Sequence, residues 1–339
     1  MWMHSVFETD RLLVRQYTLA DAEVFFRLNN DLDVVRYVRA PKSREECLDF
    51  LKENIAFYEL FPYMGRWAIQ LKATGKVVGT FAIIPVENSG DVQLGYSLLK
   101  EYWGNGYATE VSISGRQYAL DELHLPELYA ITQPANTASQ QVLLKSGFVQ
   151  TTSIKEHDKE LYRFVTRNPD FVETSRLKLF PLTAGQLLLY LQGENKLEQR
   201  FHLAITGRTV TPGVQQSVVF LTMPKMNNAP GRNWLFYTFW LAVEKSSGVI
   251  VAELGFKGPP NRQGLIEIGY GTMPTHQGKG FMTEAVQGML QWARQHAEVK
   301  GVVAETHRSN RASARVLEKN GFTQFDARGE MLWWKTAPL

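Results

Sequence analysis

The chain repeats its own pattern, and this duplication constrains the fold more than any other feature. Residues 93–111 read QLGYSLLKEYWGNGYATEV and residues 267–285 read EIGYGTMPTHQGKGFMTEA, an offset of 174 residues. With the same offset, residues 136–148 match residues 310–322 at 8 of 13 positions. The identities in the first block are Gly95, Tyr96, Gly104, Gly106, Thr109 and Glu110, each with its counterpart in the second copy. A period this long exceeds a solenoid repeat, so it predicts a duplicated domain.

The two copies begin at different distances from the repeated blocks. Residues 8–18, ETDRLLVRQYT, resemble residues 173–183, ETSRLKLFPLT, at an offset of 165 residues. The second copy has therefore gained nine residues between its start and its middle. The segment TRNPD between the copies contains an Asn-Pro pair, which interrupts regular structure. We therefore expect an N-terminal domain over 1–168 and a C-terminal domain over 169–339.

The bulk composition is that of a globular chain. Its 339 residues are 44% hydrophobic and 21% charged, which is sufficient for two domains that each bury a core. The net charge is only +3, and no run of Lys or Arg exceeds two residues. Because a nucleic-acid surface needs a basic patch, we expect no nucleic-acid partner.

The cysteine content and the apolar runs indicate the cellular setting. Cys47 is the single cysteine, so no intrachain disulfide can form, which suits a reducing compartment. The longest apolar run, residues 234–243, is about half the length that a membrane span needs. The start of the sequence lacks the layout of a secretory signal. We therefore expect a cytoplasmic protein without a membrane partner.

Periodicity predicts the same element order in each copy. An alternating opening strand precedes a segment with helical spacing, and a β-hairpin follows over 67–84 or 240–256. The next strand leads into a glycine turn, which is followed by a helix and another strand. A short helix beginning near Asn136 or Asn310 and a last strand complete the copy. This order predicts a mixed α+β fold.

The glycine turn is the segment with the clearest chemical meaning. In residues 277–285, QGKGFMTEA, two glycines one residue apart directly precede the predicted helix. Glycine costs backbone entropy, so such a turn is favoured where backbone N–H groups face an anion at a helix N-terminus. The apolar face of the helix is expected to comprise Met282, Ala285, Val286, Met289 and Ala293.

Taken together, the turns WGNGYATE and QGKGFMTE and the later pattern N-x-A-S-x-x-V-L-x-K-x-G-F are similar to the GNAT superfamily of acetyltransferases. The branch that fits best contains the ribosomal-protein N-terminal alanine and serine acetyltransferases. The resemblance covers essentially the whole chain, twice. It implies an α+β chain of two tandem acyl-CoA N-acyltransferase domains, each with a mixed, mostly antiparallel sheet flanked by helices.

The resemblance implies that the backbone amides of both turns hold the pyrophosphate of coenzyme A. These residues are Trp103, Gly104, Asn105, Gly106, Tyr107 and Ala108, and in the second copy Gln277, Gly278, Lys279, Gly280, Phe281 and Met282. Trp103 replaces the leading Gln or Arg of the family motif in the first turn. Met282 replaces the final Gly or Ala in the second turn, and we expect its side chain to narrow the second turn. Lys279 adds a charge that Asn105 lacks, so we expect tighter cofactor binding in the second copy.

The resemblance also implies how the thioester is held. Amides at Leu98 and Leu99, and at Thr272 and Met273, would bind the pantetheine arm and polarise the carbonyl. The family's acidic tyrosine is replaced by leucine in both copies. Ser139 and Ser313, one helical turn earlier, would contact the coenzyme sulfur and protonate the thiolate, or else be ordinary first-turn polar residues. Asn136 and Asn310 would cap that helix, contact the pantetheine, or do both.

A base is needed because the amine nucleophile must be neutral. Glu267 lies ahead of the second turn, where some family members keep a catalytic glutamate, and its counterpart Gln93 cannot accept a proton. Glu305 is the other carboxylate candidate, and its counterpart is Ile131. The second copy is therefore the better equipped for catalysis. The alternative is that both glutamates are structural or solvent-facing strand residues.

We interpret the chain as a tandem N-acetyltransferase that uses acetyl-CoA by direct attack of an amine on the thioester, with the C-terminal copy favoured as the active one. No metal-binding pattern such as HExxH or CxxC occurs, so we expect no metal. The acceptor would be a protein N-terminus or a small amine. Two alternatives remain: an acyl-CoA sensor without catalysis, and an interaction protein that keeps only the shape. The chain would be a monomer with an internal pseudo-dimer, or a homodimer.

Overall fold

The chain forms two compact units, Met1–Asn168 and Pro169–Leu339. Each unit contains one eight-stranded mixed sheet flanked by helices, which confirms the α+β fold class. None of the described helices is long and apolar enough to cross a membrane. The computed structural model describes residues 5–86, 91–156, 159–193, 195–207 and 209–339.

In the N-terminal unit the strand order is β1-β2-β3-β4-β5-β6-β8-β7, and only β5 and β6 pair in parallel. The parallel pair occupies the middle of the sheet, where β5 leads into α4. The elements are β1 (Ser5–Glu8), β2 (Leu12–Arg15), α1 (Ala22–Asn30), α2 (Leu32–Val35), α3 (Arg44–Leu60), β3 (Gly65–Leu71), β4 (Val77–Pro85), β5 (Val92–Leu98), α4 (Tyr107–Gln117), β6 (Glu127–Thr132), α5 (Thr137–Lys145), β7 (Val149–Glu156) and β8 (Lys159–Arg167).

The C-terminal unit repeats this topology, with the order β9-β10-β11-β12-β13-β14-β16-β15 and a parallel pair at β13 and β14. The described helices between the second and third strands differ, because α6–α9 stand where α1–α3 stand in the first unit. The elements are β9 (Val172–Glu173), β10 (Leu177–Pro181), α6 (Ala184–Gln192), α7 (Lys196–Arg200), α8 (Pro212–Ser217), α9 (Met223–Asn228), β11 (Phe239–Glu244), β12 (Ile250–Phe256), β13 (Leu265–Thr272), α10 (Phe281–Ala293), β14 (Gly301–His307), α11 (Arg311–Lys319), β15 (Thr323–Arg328) and β16 (Met331–Lys335).

Aromatic side chains of the hairpin form the centre of the N-terminal core. Trp67 on β3 and Phe81 on β4 are fully buried, and their rings stack with centroids 6.3 Å apart. A Cβ atom added to Gly115 on α4 would lie 2.0 Å from Phe81, so only glycine permits this close approach of helix and sheet. The helix that follows the glycine turn is therefore fixed against the central strands.

In the C-terminal unit a tryptophan of the helix packs against the aromatic side chains of the sheet. Trp292 of α10 is fully buried, and its ring centroid lies 4.9 Å from that of Trp240 on β11 and 5.6 Å from that of Phe256 on β12. The predicted apolar face of α10 is confirmed, because its five residues are buried in this core. Burial of a large apolar side chain contributes about 1.5–3 kcal/mol, so this face holds α10 on the sheet.

A buried ion pair distinguishes the N-terminal unit. Arg15 on β2 contacts Asp21 through two parallel bonds of 2.8 and 2.9 Å, and both side chains are largely buried. Burial alone would raise the pKa of Asp21, but the hydrogen bonds from Arg15 and Thr18 outweigh it and lower that pKa. The bidentate geometry keeps the carboxylate ionised where an unpaired charge would be costly.

We expect Asp21→Asn to destabilise the N-terminal unit by about 3 kcal/mol at neutral pH, because Arg15 would be left buried without its partner. Folding lowers the pKa of Asp21 below its ordinary value of 3.8. The loss of unfolding free energy in the variant should therefore be largest above pH 3.8 and should shrink as the pH falls through the pKa of the folded state. The measurement is urea unfolding followed by hydrogen exchange of N-terminal peptides.

The matched control is Glu23→Gln, which breaks the exposed pair of Glu23 with Arg44 and should leave the free energy of unfolding nearly unchanged. Equal effects of the two substitutions would contradict a special role for the buried pair.

Candidate functional site

Both glycine turns have the backbone conformation that the sequence pattern predicts for an anion site. Gly104 and Gly106 have φ of 76° and 80°, and Gly278 and Gly280 have φ of 75° and 79°. These values lie in the left-handed region, which residues with a Cβ rarely adopt. Helices α4 and α10 begin immediately after the second glycine of each turn.

The turns leave a run of backbone amides without acceptors. Within the described residues, no N–H group from 104–109 or from 278–283 donates to a protein atom. The first bonds inside the helices are donated by the amides of Glu110 and Glu284. A Cβ atom added to either leading glycine would meet nothing within 4 Å, so the amides border open space. Six consecutive donors at the positive end of a helix dipole fit a diphosphate.

A carboxylate ties the first turn of α4 to the start of β2. Glu110 accepts hydrogen bonds from the amide of Arg11 at 3.0 Å, from Arg11 Nε at 2.7 Å and from the Thr9 hydroxyl. The Arg11 guanidinium also lies 4.5 Å from the centroid of the Tyr107 ring. We call this arrangement the glutamate clasp of the helix, and it holds the amide run in position.

The C-terminal unit repeats the glutamate clasp. Glu284 accepts from the amide and Nε of Arg176, both at 2.7 Å, and from the Thr174 hydroxyl at 2.6 Å. The guanidinium lies 4.6 Å from the centroid of the Phe281 ring. It also donates to the carbonyl of Lys279 at 3.1 Å, so here the clasp reaches into the turn itself.

The clasp hydrogen bonds control the charge of both glutamates. Partial burial would raise the pKa of Glu110 and Glu284, but the bonds from threonine and arginine outweigh it, and both pKa values fall below the ordinary 4.5. Both carboxylates are therefore ionised at neutral pH, next to the helix N-terminus where negative charge is stabilised.

The strand before each turn separates from its parallel neighbour. The recorded pairing of β5 with β6 is at Gln93 and Tyr129, and that of β13 with β14 ends at Glu267 and Val303. Beyond these points β5 and β13 remain paired only with the antiparallel strand on their other side. A gap bordered by unpaired strand backbone therefore opens beside each turn, as the family resemblance implies.

Half of the predicted pantetheine amides face this gap. The amides of Leu99 and Met273 donate to valine carbonyls on β4 and β12, at 2.9 and 3.0 Å. Because successive strand amides point to opposite sides, those of Leu98 and Thr272 are directed towards the gap. These two amides are therefore oriented to donate to a ligand in the gap.

The side chains of the two turns differ as the sequence suggests. The indole Nε1 of Trp103 donates to the carbonyl of Leu98 at 2.8 Å, which links the turn to the end of β5. Asn105 is occupied by two carbonyls of its own turn at 3.1 Å. Lys279, by contrast, has no carboxylate partner among the described residues, so its ammonium group is free to meet an anion.

The expectation for Met282 was wrong. Its side chain is 5% exposed and packs in the core, so it does not narrow the turn. The residue is the second of α10, and its helical position directs it towards the sheet rather than the turn. Its backbone amide remains part of the acceptor-free run.

The two predicted serines lie at the start of the short helices, and each contacts the hydroxyl group of a tyrosine. Asn136 and Asn310 cap α5 and α11 by accepting from the amides of Ser139 and Ser313. The predicted cap is thus confirmed in both units. The side chains of the serines point to the strand that borders the gap, where each meets a tyrosine.

These tyrosines are functional candidates that the sequence reasoning missed. The Tyr96 hydroxyl donates to Ser139 Oγ at 3.2 Å, and Tyr270 lies 2.9 Å from Ser313 Oγ. Burial raises the pKa of Tyr96 to about 12 and also raises that of Tyr270. The tyrosines therefore remain protonated donors. Their recurrence as a Gly-Tyr pair in both copies was the available signal.

The structure brings the two candidate carboxylates together around a lysine. Glu267 accepts a hydrogen bond from Lys257 Nζ, and Glu305 lies 3.9 Å from the same atom. Lys257 directly follows the neighbouring strand β12, ten residues before Glu267, and sequence reasoning missed it. A carboxylate pair that holds one ammonium group has the geometry to hold an acceptor's ammonium group. In the N-terminal unit Gln93 and Ile131 stand in their place.

Each unit has a cavity beside its strand gap. The N-terminal cavity has a volume of about 540 Å³ and the C-terminal one about 440 Å³, which suits small ligands. No group of three or more metal-ligating side chains is found in the part of the chain that the structure describes. The walls of the N-terminal cavity include Arg39, Arg66, Gln93, Tyr96, Asn136 and Ser139. Those of the C-terminal cavity include Glu253, Lys257 and Tyr270.

We expect Gly280→Ala to destabilise the C-terminal unit by roughly 1–2 kcal/mol, because alanine is strained at φ of 79°. The matched control is Gly185→Ala within α6, where an added Cβ meets nothing, and this change should stabilise by up to about 1 kcal/mol. Thermal unfolding of both variants measures the contrast. A neutral Gly280→Ala would show that the turn does not need its left-handed conformation.

Comparison with known proteins identifies the family. The chain is 30% identical over 158 residues to the uncharacterized N-acetyltransferase YoaA of Bacillus subtilis, covering 46% of this chain and 89% of YoaA. Similar solved structures include a GNAT-family acetyltransferase from Bacillus anthracis, at 21% identity and a TM-score of 0.43, covering 50% of this chain and 99% of that one. The ribosomal-protein-S5-alanine acetyltransferase from Vibrio fischeri has 19% identity and a TM-score of 0.41, covering 48% and 97%.

The model of the acetyltransferase (GNAT) domain matches the chain twice, over residues 11–149 and 176–323. One match falls in each compact unit, and together they span most of the sequence. The chain therefore belongs to the GNAT acetyltransferase family, with two copies of the domain in tandem.

Proposed function

We propose that the chain transfers the acetyl group of acetyl-CoA to a primary amine by direct attack, without a metal. The observation that carries this proposal is the run of six acceptor-free amides at 104–109 and again at 278–283. A chain that kept the fold only as a scaffold would have no need for two such turns. Bound acetyl-CoA would supply the acetyl thioester.

The proposed roles of the backbone follow from its orientation. The two amide runs hold the pyrophosphate, and the Lys279 side chain adds a positive charge in the C-terminal unit. The amides of Leu98 and Thr272 face the gap, where they hold the pantetheine arm and polarise the thioester carbonyl. Fixed backbone donors are effective here because they need no reorganisation as negative charge develops.

The paired hydroxyls supply the proton for the leaving thiolate. Ser139 accepts its hydrogen bond from Tyr96, which leaves the serine proton free to be donated. In the C-terminal unit the Tyr270 hydroxyl lies 2.9 Å from Ser313 Oγ and also donates to the Ser313 carbonyl at 3.3 Å, so either hydroxyl of this pair can donate to the other. The high pKa of each tyrosine suits a group that donates a hydrogen bond without ionising.

The C-terminal unit is the proposed site of catalysis, since it holds the candidate base. Glu267 lies where β13 and β14 separate, and it would take the proton of the acceptor amine once that amine displaces Lys257. The N-terminal unit has Gln93 at this position. An acceptor with an α-amine is better suited to a site without a base, because about one α-amine in ten is neutral at pH 7. The acceptor class remains a protein N-terminus or a small amine.

A second candidate function is acyl-CoA sensing without catalysis. The observation that favours it is the contact between Lys257 and Glu267, which occupies the candidate base. Coenzyme A binding in both units without thiol release for any amine would support the sensor and overturn the transferase.

We expect two coenzyme A molecules to bind per chain, the tighter one in the C-terminal unit. Lys279→Asn should weaken the tighter site by about two- to fivefold, since an exposed charge pair contributes less than about 1 kcal/mol. Asn105→Lys should strengthen the other site by a similar factor. Isothermal titration calorimetry of the full chain measures both, and equal affinities that neither substitution changes would contradict the charge argument.

We expect acetyl-CoA and a panel of amines to release thiol, and Glu267→Gln to lower kcat/KM by about 100-fold, which is typical for loss of a general base. Glu298→Gln, on the surface of the same unit, is the control and should leave the rate unchanged. An unchanged rate in Glu267→Gln would remove Glu267 as the base while leaving the transferase proposal standing.

A further inference from the structure

The N-terminal cavity contains two arginines that no carboxylate neutralises. Arg39, which follows α2, and Arg66, on β3, both line the cavity. Within the described residues neither guanidinium forms an ion pair, and neither donates a side-chain hydrogen bond to protein. Arg15, Arg27 and Arg44 of the same unit, by contrast, each contact a carboxylate.

An aromatic ring, rather than an anion, holds these charges in place. The guanidinium carbons of Arg39 and Arg66 lie 5.5 and 5.3 Å from the centroid of the Phe50 ring. Lys42 Nζ lies 5.5 Å from the same centroid. A cation stacked on an aromatic face keeps its N–H edges free, and each guanidinium carries five such donors.

The electrostatic environment of the pair is unfavourable without a ligand. Arg39 is exposed as a whole residue, yet partial loss of solvent around its guanidinium and the neighbouring charge of Arg66 both lower its pKa. Loss of solvent also lowers the pKa of Arg66, which is half-buried, whereas Arg39 stands at the exposed rim. Both remain charged at neutral pH, because an arginine does not lose its proton in proteins. A bound anion would relieve this repulsion.

The arginines share their cavity with the tyrosine–serine pair of the N-terminal unit. The same walls include Gln93, Tyr96 and Ser139, where the strands separate. Gln133 Nε2, beyond the end of β6, donates to the carbonyl of Tyr37 at 3.1 Å, which fixes the segment that carries Arg39. One small molecule can therefore place an anionic group at the arginines and its amine near the serine.

The C-terminal cavity lacks this pair. On β3 Arg66 directly precedes Trp67 and lies opposite Ala82. On the equivalent strand β11 the residue directly before Trp240 is Phe239, so no arginine stands at this position. That cavity instead contains Glu253, which bonds to Tyr190, and Lys257, which Glu267 already neutralises. A pair of arginines is thus a feature of the N-terminal cavity, whereas the further cation that lines the C-terminal cavity is Lys225, whose Nζ lies 5.9 Å from the centroid of the Tyr237 ring.

We propose that the N-terminal cavity binds the carboxylate or phosphate of a small anionic amine through Arg39 and Arg66. The planar fork of each guanidinium suits either oxyanion in a bidentate contact. A volume of about 540 Å³ suits a small molecule. Binding of the anion stands on the geometry alone, whereas acetylation of its amine rests on the proposed function.

The test compares matched amines on the full chain saturated with coenzyme A. L-leucine against L-leucinamide tests the carboxylate, and O-phosphoethanolamine against ethanolamine tests the phosphate. Calorimetry should show at least about tenfold tighter binding of one anionic amine than of its neutral match, as expected for charge-assisted bonds. Equal binding within both pairs would overturn the proposal, and so would binding only of peptides with an acidic residue after their N-terminus.

Variants assign the effect to the arginines. Arg66→Met and Arg39→Met keep the apolar stem and should each abolish the preference, while melting curves show that the variants fold. The control is Arg36→Met, which removes a nearby charge that does not line the cavity, although it stacks on the lining residue Tyr37, and it should leave the preference unchanged. Equal loss in all three variants would show a general charge effect and overturn the site.

Failure of the two proposals can be told apart. Arginine-dependent binding of an anionic amine without thiol release supports this site and contradicts transfer in the N-terminal unit. Thiol release together with calorimetry that shows no preference for an anionic amine dependent on Arg39 or Arg66 supports the transferase and overturns this site.

Discussion

Both units depend on a short run of backbone amides that a left-handed glycine turn leaves without acceptors at the start of a helix. The helix dipole makes these donors favourable for an anion, but the run is useful only if the helix is fixed. Two contacts fix it: the glutamate clasp to the start of the second strand, and the buried apolar face against the sheet. The strand gap next to the turn then receives its position from the same helix.

The duplication kept the backbone features and let the side chains of the cavities diverge. Amide donors do not depend on which side chain follows them, so Asn105 and Lys279 occupy equivalent turns without changing the donors. The cavity walls depend on side chains, and there the copies differ in charge. The C-terminal unit has Glu267 with Lys257, whereas the N-terminal unit has Gln93 with the uncompensated pair Arg39 and Arg66. The result is one turn geometry shared by both units, next to two cavities whose charged side chains differ.

Local and periodic features were predictable from the sequence. The repeat predicted two α+β domains, the Gly-x-Gly spacing predicted the turns, and Asn136 and Asn310 were recognised as caps three residues before a serine amide. Each of these depends on neighbours within one or two turns of chain. Met282 received two expectations, and burial favours its place on the apolar face of the helix over a side chain that narrows the turn. Tyr96 and Lys257 were missed because their partners lie on other elements.

The sequence by itself determined the duplication, the element order, the family and the two glycine turns, because short-range backbone geometry and periodic burial establish them. It placed the amide runs one residue too early, since the amides of Trp103 and Gln277 donate to the carbonyls of Lys100 and Pro274. Only the tertiary structure decided which side chains meet in the cavities. The contact of Tyr96 with Ser139 spans 43 residues, and that of Glu110 with Arg11 spans 99. Pairings of this kind depend on strand register and helix packing, which no local pattern specifies. The charge of the N-terminal cavity is likewise a property of the folded walls.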